Sequence, residues 1–152
     1  MLIKGFKNET IPAFTFLYGE KETSYANVAV HGGKIMDGLM ALLHKKKIQP
    51  VGPAIWTYKD LGKGKVLLKA GFPVEAGLKD YGKFKLGKEK ERNCVSTKFN
   101  GSMEKIKEAW EQFGIVAQKK GVKPTKSIRE VYTKWVAFDS PENVTVLQIL
   151  VK

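Results

Sequence analysis

The sequence predicts an α+β fold of duplicated β-α-β-β units with pseudo-twofold symmetry, a mainly antiparallel sheet, two helices on one side and a central cleft. Three observations carry this expectation. The runs KKKIQPVGPAIWTY, from Lys45, and KKGVKPTKSIREVY, from Lys119, superimpose without a gap at an offset of 74 residues. Lys45 falls on Lys119, Lys46 on Lys120, Ile48 on Val122, Pro50 on Pro124 and Tyr58 on Tyr132. Each run follows a segment of helical period and precedes a second β-like run. At 152 residues and 43% hydrophobic content, the chain suits one domain made of two halves better than two independent domains. We therefore expect a single domain over 1–152, with half-units at about 11–75 and 92–152 and a linker over 76–91. The interface between two such halves is a natural place for the cleft.

In chain order, residues 12–18 are aromatic and β-branched and read as a strand. Gly32 and Gly33 read as a break before KIMDGLMALLHKKK, in which Ile35, Met36, Leu39, Leu42 and Leu43 recur at helical spacing and Gly38 is a mild defect. Pro50, Gly52 and Pro53 make a turn. Residues 54–59 then form a strand with Trp56 and Tyr58 on one face and Ile55 and Thr57 on the other, and residues 65–74 follow as the next strand after a GKG turn. The stretch 75–92 is charged, glycine-bearing and without apolar period, a connection with room for a short strand near 84–86.

The second half repeats the order. Residues 93–99 form a strand, and Ser102 is placed to cap a helix with Glu104 in its first turn. Met103, Ile106, Trp110, Phe113 and Ala117 share a stripe of that helix, and Gly121 ends it. Strands over 127–135 and 144–151 flank the turn signal DSPEN.

Composition narrows the function classes. The net charge is +12, yet all but Arg92 and Arg129 of the 27 basic residues are lysines, spread along the chain. Base and phosphate readout leans on the planar arginine fork, so we expect a solvated lysine surface and no specific nucleic-acid partner. The N-terminus lacks a signal peptide's apolar region, and no stretch approaches 18 apolar residues, so a cytoplasmic protein without a membrane partner is expected. Cys94 stands alone and reads as a small, half-buried strand residue. His31 is isolated and His44 sits at a helix end, so no metal site and no cofactor are expected.

The residues with chemistry lie on two equivalent strands. Period-two alternation puts Ile128, Glu130 and Tyr132 on one face, and the 74-residue offset puts Ala54, Trp56 and Tyr58 at the matching positions. Facing a shared interior, they would form an aromatic cup around one carboxylate, suited to a flat, partly cationic organic molecule. A register one residue away would instead turn Glu130, next to Arg129, toward solvent. Trp110 and Phe113 read either as helix core or as further ligand contacts.

The order NGSMEKIKEAWEQF, KKGVKP, REVY and SPENVTVLQILV in the second half resembles the GyrI-like small-molecule-binding domains. These include the effector-binding domains of multidrug-responsive transcription activators and the DNA gyrase inhibitory protein, with a SOUL-like superfamily fold. In the first half VGPAIWTY looks like the family's Gly-Pro turn and tyrosine-bearing strand, followed by AGFPV, and the likeness runs from about 11 to 151. It implies a cleft in which the glutamate matching Glu130 contacts bound drugs or effectors, lined by aromatics of the kind at Trp56, Tyr58, Trp110 and Tyr132. Some free-standing members are similar to hydrolases that open strained cyclopropane rings of DNA-alkylating natural products. The sequence departs from the family on the last strand. There Thr145 is followed by Val146 where a glutamate is usual, and Leu150 takes a proline's place, which leaves Glu130 the principal carboxylate. With the domain starting within about a dozen residues of Met1, no N-terminal helix-turn-helix is expected.

Three readings follow. The first is a free-standing binder of an amphipathic aromatic or cationic compound, through Trp56, Tyr58, Trp110, Phe113, Glu130 and Tyr132. The second is a ring-opening hydrolase with Glu130 as general acid or base and Tyr132 hydrogen-bonding a developing oxyanion. The third is an inhibitor acting on a protein partner, a regulator or gyrase.

Overall fold

A strand that the hydrophobic pattern hides opens the chain. β1 (Ile3–Ile11) carries Lys4, Lys7, Asn8 and Glu9 and is broken by a register shift between Lys4 and Lys7, where Gly5 has φ +80°. Polar residues and a bulge belong on an edge strand, and they erase the alternation by which strands are recognised. The computed structural model describes residues 1–152, in two compact units. The first is Pro12–Glu91; the second combines Met1–Ile11 with Arg92–Lys152.

The first unit contains β2 (Phe14–Ser24), α1 (Val28–Lys46), β3 (Ile55–Gly62), β4 (Lys65–Val74) and β5 (Lys85–Glu89). Its strands lie in the order β3-β4-β2-β5, each pair antiparallel. The second unit contains β6 (Arg92–Asn100), a short 3-10 turn (Met103–Lys105), α2 (Ile106–Lys119), β7 (Pro124–Lys134) and β8 (Val144–Val151). With β1 its order is β1-β6-β8-β7, again antiparallel throughout. The fold is thus α+β, and the β-α-β-β order occurs twice. Each repeat gains a fourth strand on its first strand: β5, which follows the first repeat, and β1, which precedes the second.

Each helix covers one face of its own unit's sheet. In the first unit Leu39 and Leu43 pack with Leu17, Val74 and Phe84. In the second, Ala109, Phe113 and Ala117 pack with Val95, Phe99, Leu147 and Ile149. Burial of these aliphatic and aromatic side chains, at roughly 1.5–3 kcal/mol each, is the main term holding helix to sheet.

Helix α1 corrects the expected glycine break: it begins at Val28, so Gly32 and Gly33 lie inside it. The reason is packing. A Cβ on Gly32 would overlap the Trp56 ring, and one on Gly38 would come within 3.0 Å of Phe84 Cζ, so both glycines are sockets for aromatic rings. The first expected strand also starts later and runs further than residues 12–18, ending at Ser24. Ser102 caps as expected, accepting from the Glu104 N–H at 3.1 Å, but the turn it opens is 3-10 before α2 begins. Gly121, at φ +72°, ends α2. Cys94, expected half-buried, is 1% exposed. No helix is long and apolar enough to cross a membrane.

Candidate functional site

Strand β7 lies beside α2 in the second unit's fold, and its alternation decides which side chains meet the helix. Ile128 joins the core under α2, so Glu130 and Tyr132, two and four residues on, face the same way. The register is the one expected, and neither charge of the Arg129-Glu130 pair is solvated: Arg129 is 3% exposed and Glu130 5%.

Trp110, from the middle of α2, donates its Nε1–H to Glu130 Oε2 at 2.7 Å. Tyr132 donates its hydroxyl to Glu130 Oε1 at 2.5 Å. Removing a carboxylate from water costs several kcal/mol unless hydrogen bonds replace the lost solvation, and bonds to a charged acceptor are the strong kind. Here two of the donors sit on aromatic rings, so the groups that stabilise the charge also make its surroundings apolar. The rings continue in both directions. Trp110 lies 5.9 Å from Phe113, which is fully buried and meets Phe6 edge-on at 6.1 Å. Tyr132 meets Trp135 edge-on at 5.7 Å, and Trp135 is 50% exposed. A connected aromatic series therefore runs from the core, past one carboxylate, to solvent.

Four of the six expected site residues, Trp110, Phe113, Glu130 and Tyr132, come together in this way within one unit. Trp56 and Tyr58 lie on β3 of the first unit. Trp56 faces α1 and seats its ring on Gly32, and Tyr58 is 7% exposed. Thus Trp56 and Glu130, 74 positions apart, each meet the helix of their own unit, Trp56 at Gly32 of α1 and Glu130 at Trp110 of α2. His31 is engaged locally, with Nδ1 2.5 Å from Thr23 Oγ1.

Sequence reasoning missed Phe6 and Trp135. Phe6 sits on the unrecognised β1, and Trp135 lies just past β7, where no period marks its partner. Cys94 offers no ready nucleophile: burial, with the charge of Glu9 adding to it and Arg129 opposing it, pushes its thiol up to about 11.

No protein-family model matches the chain, and no curated protein matches it. Solved structures do. SAV2435 bound to tetraphenylphosphonium matches with a TM-score of 0.76 at 10% identity, over 98% of this chain and 94% of that one. EcmrR in its DNA complex matches at 0.78 and 18% identity over the whole of this chain, which spans 59% of EcmrR. A hydrolase from Listeria innocua matches at 0.58 and 11% identity, over 97% of this chain and 91% of that one. The chain shares the fold of these structures, as the resemblance of its sequence motifs implied.

Proposed function

We propose that this chain, with its GyrI-like fold, binds amphipathic aromatic cations, and that Glu130 with Trp110, Phe113 and Tyr132 forms the centre of the site. The observation that carries the reading is the buried Glu130 carboxylate held by Trp110 and Tyr132. A lipophilic cation brings to such a place both apolar surface and charge. Aromatic rings reward the first directly and the second through cation-π attraction, while the carboxylate acts at low dielectric. SAV2435, of the same fold, was solved with a ligand of this chemistry. The +12 net charge repels cations at long range, but screening over about 8 Å at physiological salt leaves the local carboxylate in control.

The test is calorimetric titration with tetraphenylphosphonium and with its isosteric anion, tetraphenylborate. Saturable binding of the cation is expected, weakened about 10- to 100-fold by Glu130→Gln, as loss of a charge-assisted contact implies. Cation affinity unchanged in Glu130→Gln refutes the reading. Trp56→Ala and Tyr58→Phe, measured in parallel, decide whether the first unit's strand belongs to the ligand set.

A hydrolase is the second reading, favoured by the short Tyr132–Glu130 hydrogen bond, which couples a phenol to a carboxylate. Incubation with a cyclopropane-bearing alkylating agent, followed by mass spectrometry, separates the two: a hydrated product lost in Glu130→Gln makes the protein an enzyme, and stoichiometric capture without product makes it a binder.

A further inference from the structure

The expected linker 76–91 builds a second feature, wholly within the first unit. Tyr81 and Phe84 close a tight turn, with the Tyr81 N–H bonded to the Phe84 carbonyl at 2.9 Å and the reverse bond at 3.0 Å. Gly82, at φ +60°, supplies the conformation such a two-residue turn demands. Phe84 anchors the turn on the glycine socket of α1, 6% exposed. The Asp80 carboxylate ties down the other side by accepting the Leu86 N–H at 2.8 Å. Between this turn and the C-terminal part of α1 lies an open depression of about 540 Å³.

The chemistry of the depression is two-sided. Its apolar residues are Leu42, Tyr81 and Phe84, and its cationic ones are Lys46, Lys79 and Lys83, all three exposed. Two of the ammonium groups are held over the aromatic surface, Lys79 Nζ 5.9 Å from the Tyr81 ring centroid and Lys83 Nζ 5.6 Å from that of Phe84. Lys46 projects from the last turn of α1. With Asp80 the only carboxylate among the lining residues, three positive charges face one negative.

We propose that this depression is a second ligand site, for an amphipathic organic anion. The apolar body of the ligand lies on Leu42 and Tyr81, above the buried Phe84 ring, and its sulfonate, phosphate or carboxylate head is held by the three lysines. A bare inorganic anion would leave the apolar surface uncovered, and a lipophilic cation would meet like charge. At about 540 Å³ the depression falls within the roughly 300–1,000 Å³ range of small-molecule clefts. The site is opposite in charge preference to the one centred on Glu130, and so makes an independent demand on the ligand.

The test is a fluorescence titration with 8-anilinonaphthalene-1-sulfonate on the full chain. Saturable binding is expected, weakened at least about tenfold by the triple variant Lys46→Gln/Lys79→Gln/Lys83→Gln and weakened also by Leu42→Gln. A control variant, Lys107→Gln/Lys119→Gln/Lys126→Gln, makes the same change in net charge on the second unit and is expected to leave the affinity within about twofold. Tetraphenylphosphonium is expected not to compete. Unchanged affinity in the first triple variant, equal loss in the control, or loss of the probe's binding in Glu130→Gln alone would each overturn the proposal.

Discussion

The indole N–H of Trp110 and the carboxylate of Glu130 meet at 2.7 Å, joining the middle of α2 to strand β7 by a hydrogen bond between a helix side chain and a buried charge. Trp110→Phe keeps a ring at the helix position and removes only the donor. Leaving the carboxylate one partner short is expected to cost about 1–3 kcal/mol in urea unfolding. In a Glu130→Leu background the same change should cost much less, giving a coupling of about 1 kcal/mol or more. Strict additivity in the double-mutant cycle would show that the bond contributes nothing.

The adjacent glycines of α1 make opposite predictions. A Cβ at Gly33 meets nothing within 4 Å, whereas one at Gly32 runs into the Trp56 ring, with Cζ2 at 2.9 Å. Gly33→Ala should therefore stabilise by roughly 0.5–1 kcal/mol through helix propensity. Gly32→Ala should destabilise despite the same gain, by about 1–3 kcal/mol of overpacking. Thermal melts of the two variants moving in the same direction would contradict the socket.

Asn143 is fully buried and organises the connection between β7 and β8. Its Oδ1 accepts the Val136 N–H at 2.8 Å, and its Nδ2 donates to the Ala137 carbonyl at 2.6 Å. Asn143→Ala strands both backbone groups and is expected to lower stability by about 2–4 kcal/mol. Asn143→Asp keeps the acceptor but sets a carboxylate oxygen against the Ala137 carbonyl in a fully buried place, and is expected to cost at least as much. If Asn143→Asp matched the wild type, the donor bond to Ala137 would be dispensable.

Cys94 should be silent toward thiol reagents while the protein is folded. With its thiol pushed up to about 11, only about 0.1% is thiolate at pH 8, and at 1% exposure little of it is reachable. The raised value also has a sign for stability. The folded state prefers the protonated thiol, so the contribution is complete below the ordinary value of 9.0 and declines as pH rises from there through about 11. Cys94→Ser or Cys94→Ala should flatten that part of the stability-pH curve. Rapid labelling of native protein at pH 8 by dithionitrobenzoate would contradict the burial.

How far the site could be read from the chain depends on what each residue's partner is. Alternation puts Glu130 and Tyr132 on the same face as Ile128, because a strand repeats every two residues, but only packing shows that this face meets α2. That Trp110 is the donor to Glu130 could not be read, since a helical stripe assigns Trp110 to a face but not to a partner 20 positions away. Gly32 and Gly33, which suggest a break, lie inside α1 for the same reason. In a helix a glycine is a defect unless something fills the space, and what fills it at Gly32 is a ring from β3.

The α+β class and the twice-written β-α-β-β order are legible in the chain, because they depend on periods and on a repeat that local residues carry. That β1 and β5 complete the two units, that α1 runs through its glycines, and that residues 79–84 fold against α1 beside a lysine-rimmed depression emerges only from packing. Edge strands, sockets and depressions are defined by what lies opposite them in space, and that information is held by residues far apart in the chain.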